Sequence, residues 1–251
     1  MIERTSPDTF IEDRIAALVE GFSRSGPLRQ DRVTIPGTAI TLEIVRPIDI
    51  DALLDQVVDD PEQNLPYWAE LWPSGIALAA AIDREPDLLR GVSVLELGCG
   101  LGITAAIALG AGADLLATDY AAESLLLTRA NCLRQTGREP RTLQMNWRDP
   151  SFAMPLGALG TVPVVLAADV LYERRDIEPL LDLVDRIVAP GGMLWLAEPG
   201  RAPAASFLDE ASRRGWTAAS DQYDGPWPDP NDAEVVVAVH RLRRKEPPGG
   251  S

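Results

Sequence analysis

Apolar positions near the start of the chain recur at helical spacing. Phe10, Ile11, Ile15, Leu18, Val19 and Phe22 share one helical face. Ser6-Pro7-Asp8 precedes them, a capping hydroxyl followed by a proline suited to the first helical turn. The period then falls to two. RVTIPGTAITLEIVRP, residues 32–47, alternates about Pro36-Gly37 and predicts a β-hairpin. A short helix is expected over 50–58 and a polar loop over 59–64. Residues 1–64 therefore form an N-terminal extension too small to be a domain of its own.

From residue 65 the pattern changes to strands alternating with helices. Helices are predicted over 73–83, 103–109, 122–135, 177–188 and 203–214. Strands are predicted over 92–97, 115–118, 142–146, 162–168, 193–198, 217–222 and 234–241. Such alternation implies an α/β fold: a doubly wound, mainly parallel seven-stranded sheet of the Rossmann-like kind, covered by helices on both faces. The domain is expected to span 65–241, and the polar, Pro- and Gly-rich stretch 242–251 to be a disordered tail.

Composition narrows the function classes. The formal net charge of −15 argues against nucleic acid, whose binding rests on Lys and Arg neutralising phosphates. Only one lysine, Lys245, is present. No apolar run reaches the roughly 18 residues that would span a bilayer, so no membrane role is expected. The first residues, MIERTSPDTFIEDR, are too charged for a signal peptide. Cys99 and Cys132 have neither zinc nor disulfide-framework spacing, which suggests a reduced, cytoplasmic setting. The single histidine, His240, excludes a histidine metal cluster. It would have to serve any Ser-His-Asp triad, but the nucleophile elbow GxSxG is absent, and His240 reads as a strand residue.

The stretch VLELGCGLGITAAIALGAGADLLATDY carries the chemistry. Ligands in doubly wound sheets bind beyond the carboxyl ends of the strands, against a glycine loop and a helix N-terminus. Here Gly98, Gly100 and Gly102 are followed by Ile103. A dinucleotide fingerprint wants glycine or alanine at that last position, so the loop suits a ligand without a pyrophosphate. Asp119, ending the next strand, is placed to accept both hydroxyls of a ribose.

Glu96-x-Gly98-x-Gly100-x-Gly102 followed by Asp119 resembles the cofactor motif of class I (seven-β-strand) S-adenosylmethionine-dependent methyltransferases. The segment LPYWAELWPSGIALAAAI, Asn146-Trp147, Asp169-Val170-Leu171-Tyr172 and Glu198-Pro199-Gly200-Arg201 sharpen this. Together they resemble the family 16 small lysine methyltransferases, in the branch acting on the electron-transfer flavoprotein β-subunit, often labelled nicotinamide N-methyltransferase-like. The resemblance covers about residues 65–201. It implies S-adenosyl-L-methionine as cofactor, with Trp72 bordering its pocket, Gly98, Gly100 and Gly102 lining its methionine moiety and ribose, Glu96 orienting the loop, Asp119 on the ribose and Trp147 beside the adenine. Ala168 and Asp169 would face the methionine part or the acceptor, and Tyr172 would border the acceptor.

Plainer readings accompany several of these residues. Trp68 and Trp72 are four apart and would share a helical face in the core. Trp147 could simply pack at a strand end, and Asp169 could cap the following helix. Glu70 is a candidate for contacting a cationic acceptor, and Arg201 for a salt bridge or the site. The chain lacks the (N/D)-P-P-(Y/F) segment typical of amide and exocyclic-amine methyltransferases. The expected function is in-line methyl transfer to a protein lysine, with Asp169 and Tyr172 orienting the amine. A small-molecule acceptor, or a non-catalytic cofactor-binding role exercised through protein contacts, are the alternatives.

Overall fold

A computed structural model describes residues 7–22, 26–56, 65–149 and 160–244. The Ser6 cap, the polar loop at 59–64 and residues 245–251 of the tail lie outside the described residues. Helix α1 (Pro7–Phe22) leads into the antiparallel hairpin β1 (Leu28–Thr34) and β2 (Thr41–Pro47), then α2 (Ile50–Gln56). The α/β part follows as α3 (Pro73–Arg84), β3 (Ser93–Leu97), α4 (Ile103–Gly110), β4 (Asp114–Asp119), α5 (Ala122–Thr136) and β5 (Arg141–Gln144). It continues with β6 (Val162–Ala168), α6 (Ile177–Ile187), β7 (Val188–Glu198), α7 (Ala202–Arg213), β8 (Trp216–Tyr223) and β9 (Val237–Arg244).

The seven strands β3–β9 form one sheet in the order β5-β4-β3-β6-β7-β9-β8. The pairings among β3 to β7 are parallel, and β9 lies antiparallel between β7 and β8. The parallel strands read as near-continuous apolar runs because helices cover both faces. β6, for instance, buries Val164, Val165, Leu166 and Ala167 in succession. The chain winds outward from β3 to β5 and then restarts on the other side of β3 with β6. That reversal opens a crevice at the carboxyl ends of β3 and β6, beside Gly98 and Asp169. Among the boundaries that differ from the sequence pattern, two have a clear cause in the sheet. β7 begins at Val188, because Val188 pairs with Val162 across a register shift even though Pro190-Gly191-Gly192 reads locally as a turn. β9 runs to Arg244, since Leu242, Arg243 and Arg244 stay in the ladder against β8; residues 242–244 of the expected tail are therefore strand.

The N-terminal elements share the core of the sheet domain. Phe22, Val33, Ile35 and Ile44 belong to the same buried cluster as Ile76, Ile82 and Ile107. Helix α1 packs Ile15 and Leu18 on Ala130 and Leu133 of α5. The fully buried Asn131 fastens the hairpin down. Its amide accepts from the Val45 N–H (2.8 Å) and donates to the carbonyls of Val45 (3.0 Å) and Leu101 (2.9 Å). Leu101 lies in the glycine loop, so one side chain joins the extension to the loop. Among the described residues no helix is long and apolar enough to cross a membrane.

Candidate active site

The loop after β3 takes its shape from three glycines at positive φ: 68° at Gly98, 53° at Gly100 and 80° at Gly102. A side chain at Gly102 would stand 2.9 Å from the Cα of Thr128, so this residue serves the close approach of α4 to α5. At Gly98 a Cβ would meet Val170 at 3.0 Å. The middle of the loop is held from both sides. The Gly100 N–H donates to Asp119 Oδ2 (3.0 Å), and the Gly100 carbonyl accepts from Ser124 Oγ (2.8 Å) and Thr128 Oγ1 (2.9 Å). Asp119 Oδ1 accepts from the Ala121 N–H at 3.1 Å. The Tyr120 N–H and the Ser124 hydroxyl also act on this carboxylate.

The crevice is partly open to solvent. Of the site residues expected from the sequence, Trp72, Gly98, Gly100, Asp119, Trp147, Ala168, Asp169 and Tyr172 line it. Glu96 and Gly102 do not: Gly102 turns inward against Thr128, and Glu96 lies beneath the loop, 3% exposed. Tyr67, Trp68, Tyr120 and Val170 line it as well. Tyr120 follows Asp119 directly, a signal available in the sequence; its hydroxyl donates to the Leu65 carbonyl and ties the entry segment to the rim. Ser124 and Thr128, four apart on α5 and facing the loop, carried the other available signal.

Trp68 and Trp72 do not share a helix. Tyr67–Ala69 is a single 3₁₀ turn, Glu70 is extended, and Trp72 caps α3. The Pro73 ring sets the start of α3 and holds Trp72 before it in an extended conformation. Trp68 is buried with its ring edge-on to Phe22 at 6.1 Å, while Trp72 donates from Nε1 to the Tyr67 carbonyl at 2.7 Å. Glu70 accepts from Arg46 Nη1 at 3.1 Å.

A second hollow adjoins the crevice, lined by Tyr67, Trp72, Asp169, Tyr172 and Arg201. Tyr67 stands edge-on to Tyr172 at 5.1 Å and to Trp72 at 6.0 Å. Asp169 has φ 52°, a left-handed conformation unusual for a residue with a side chain and common at functional sites. Its N–H donates to the Ala197 carbonyl at 2.9 Å, joining it to β7. Arg201 grips both carboxylate oxygens, Nε to Oδ1 at 2.7 Å and Nη2 to Oδ2 at 3.1 Å, and lies over the Trp72 ring at 5.8 Å. Arg201 thus forms a salt bridge and borders the second hollow.

Electrostatics divide the acids. Burial, reinforced by Asp119, pushes the Glu96 carboxyl up to about 8, and its Oε2 has no hydrogen-bond partner. Burial also raises Asp119, against the pull of its backbone donors. Burial raises the Tyr172 phenol, helped by Asp176 and Asp119, so it stays neutral. At Glu198 burial acts upward, but the donors His240, Gly200 and Arg201 outweigh it and hold the carboxyl below its ordinary value.

A family model described as a methyltransferase domain matches residues 95–194. The fold is also that of magnesium protoporphyrin IX methyltransferase from Synechocystis PCC 6803 (TM-score 0.52, 13% identity, 97% of this chain and 100% of that one). A TehB-like methyltransferase from Corynebacterium glutamicum has it too (TM-score 0.50, 19% identity, 70% of this chain and 91% of that one). The chain thus has the class I fold of the S-adenosylmethionine-dependent methyltransferases. Its sequence is similar to those of the electron transfer flavoprotein β-subunit lysine methyltransferases. The Danio rerio protein is 41% identical over 155 residues, 59% of this chain and 55% of that one. The Xenopus laevis protein is 30% identical over 147 residues, 56% of this chain and 55% of that one. The chain spans about half the length of these curated relatives. Over a longer stretch, 181 residues, it is 27% identical to EEF1A lysine methyltransferase 3 of Mus musculus, covering 71% of this chain and 73% of that one.

Proposed function

We propose that the protein transfers a methyl group from S-adenosylmethionine to a lysine side chain of a protein. The observation that carries this reading is the aromatic hollow around Asp169 and Tyr172, which opens directly beside the glycine-loop crevice. Similarity to the flavoprotein-subunit and EEF1A lysine methyltransferases supports the same acceptor.

The crevice fits the cofactor. Asp119 lines the crevice as a carboxylate acceptor for the ribose hydroxyls, and Gly98 and Gly100 offer backbone without side chains. Trp147 would flank the adenine, and Ala168 and Trp72 would border the methionine part. Glu96, with an unpartnered buried oxygen, would hold the loop from below rather than touch the cofactor. When bound, the cofactor supplies a methyl group already activated on a sulfonium.

The remaining work is positioning and desolvation. A lysine ammonium, with a reference pKa of about 10.4, has no lone pair until it loses a proton. The apolar walls of Tyr67, Trp72 and Tyr172 favour the neutral amine. Tyr172 keeps its phenolic proton, so it is not the base; its hydroxyl oxygen would accept an amine N–H and leave the nitrogen lone pair free for the methyl group. Asp169, fixed by Arg201, offers its remaining lone pairs for the same purpose. Holding the amine in line is worth several kcal/mol of barrier.

The test is incubation with methyl-labelled cofactor and a lysate, followed by peptide mapping. Label on lysine in a protein fraction is expected, and Asp169→Asn should lower transfer about 10²-fold with S-adenosylhomocysteine affinity little changed. Label confined to small molecules would overturn the lysine reading.

A further inference from the structure

His240 is the only histidine, and it stands away from the crevice on β9. Its position in the sheet is nonetheless specific. β9 runs between β7 and β8, and the ladder sets His240 opposite Leu196 on one side and Ser220 on the other. Glu198 lies two residues beyond Leu196 and so projects on the same face of β7. The three side chains meet: Ser220 Oγ to His240 Nδ1 at 2.6 Å, and His240 Nε2 to Glu198 Oε1 at 3.1 Å. His240 and Glu198 are 8% and 7% exposed.

The chain of contacts continues toward the acceptor hollow. Glu198 Oε2 accepts from the Gly200 N–H at 2.6 Å and from the Arg201 N–H at 3.1 Å. These bonds shape the turn between β7 and α7, and that turn sets where the Arg201 guanidinium reaches Asp169. We infer that His240, steadied by Ser220, is a positioning residue for the acceptor side of the site, acting through Glu198 on the Arg201–Asp169 pair. This rests on the methyl-transfer reading for its kinetic consequence.

The physical reason lies in how Glu198 is satisfied. Its two oxygens divide the work: Oε1 faces His240 and Oε2 faces the turn. Without the imidazole donor, Oε1 would be a buried unpaired carboxylate oxygen, which is costly. The carboxylate would rotate to share the turn's two donors between both oxygens, or admit water. Either change loosens the turn and with it the bidentate geometry at Asp169. Ser220 completes the arrangement. By donating to Nδ1 it keeps the Nε2 proton directed at Glu198, and a rotating hydroxyl can do this without strain.

The experiment uses the full chain labelled with ¹⁵N and follows the Arg201 Nε–H resonance, assigned by its loss in Arg201→Lys. Four quantities are read for each variant: that resonance, kcat and KM with the acceptor that labelling identifies, and S-adenosylhomocysteine affinity by calorimetry. His240→Leu is expected to broaden or shift the Arg201 signal and to lower kcat about tenfold. Cofactor affinity should stay within about twofold, because the crevice does not include His240. His240→Gln places an amide donor near the Nε2 position and should restore both the resonance and kcat. Ser220→Ala, a change at an exposed position, should fall between them. An unchanged Arg201 resonance in folded His240→Leu would overturn the inference. So would a His240→Gln variant as impaired as His240→Leu, since the loss would then come from packing. If the wild type methylates nothing, the functional reading fails, while the Arg201 resonance still decides the positioning claim.

Discussion

Glu96 lies beneath the glycine loop and does not face the crevice. It is 3% exposed under the glycine loop, with one oxygen unpartnered and its carboxyl raised from 4.5 to about 8. Because the folded state holds a proton that the unfolded chain releases near pH 4.5, this residue makes stability fall as pH rises from about 4.5 to about 8. Glu96→Gln mimics the protonated form and removes that dependence. The melting temperature of the wild type should therefore drop relative to Glu96→Gln between pH 5 and pH 8, and the two should converge below about pH 4.5. Parallel curves across that window would show that Glu96 is ionised in the fold. The acid-x-Gly spacing marked Glu96 as belonging to the loop. Its burial was not legible, because it depends on the helices that cover β3.

At the scale of elements, the glycine loop and α5 act as one unit. Gly102 has φ 80° and no room for a Cβ, since the Thr128 backbone lies behind it. Gly102→Ala combines the left-handed penalty of about 1–2 kcal/mol with overpacking of about 1–3 kcal/mol. A loss of about 2–5 kcal/mol in denaturant unfolding is expected, with weaker cofactor binding as Gly100 shifts. A loss below about 0.5 kcal/mol would mean that α4 and α5 separate freely. The three-glycine spacing announced this loop, but its hydroxyl anchors did not announce themselves. Ser124 and Thr128 sit on an ordinary amphipathic helix, and only the docking of that helix turns them toward the Gly100 carbonyl.

Across the whole molecule, the extension and the site are coupled through Asn131. The side chain serves both groups of Val45 and the Leu101 carbonyl, and it is fully buried. Asn131→Ala leaves three buried backbone groups without partners, each worth about 1–3 kcal/mol when unsatisfied, less whatever relaxation or entering water recovers. The expected result is a loss of about 2–4 kcal/mol in unfolding free energy, together with a smaller thermal shift on adding S-adenosylhomocysteine. A variant whose stability falls while its cofactor affinity stays at the wild-type value would show that the hairpin does not reach the loop energetically.

Local pattern determined which segments are helices and strands, because period-2 and period-3.6 apolar spacing survives any arrangement of the elements. It also determined the glycine loop and Asp119 at the strand end, since left-handed backbone and a terminal carboxylate are properties of a few adjacent residues. Tertiary structure decided the rest. The placing of β9 between β7 and β8 sets His240 between Glu198 and Ser220, and no local signal specifies which strand lies beside which. The entry segment with Tyr67, Trp68 and Trp72 lies over the loop because Tyr120, Phe22 and the first turn of α3 hold it there. Asp169 and Arg201 are 32 residues apart in sequence and meet because β6 and β7 are neighbours in the sheet. These pairings follow from which faces must be buried against each other, a property of the assembled core and not of any single stretch of chain.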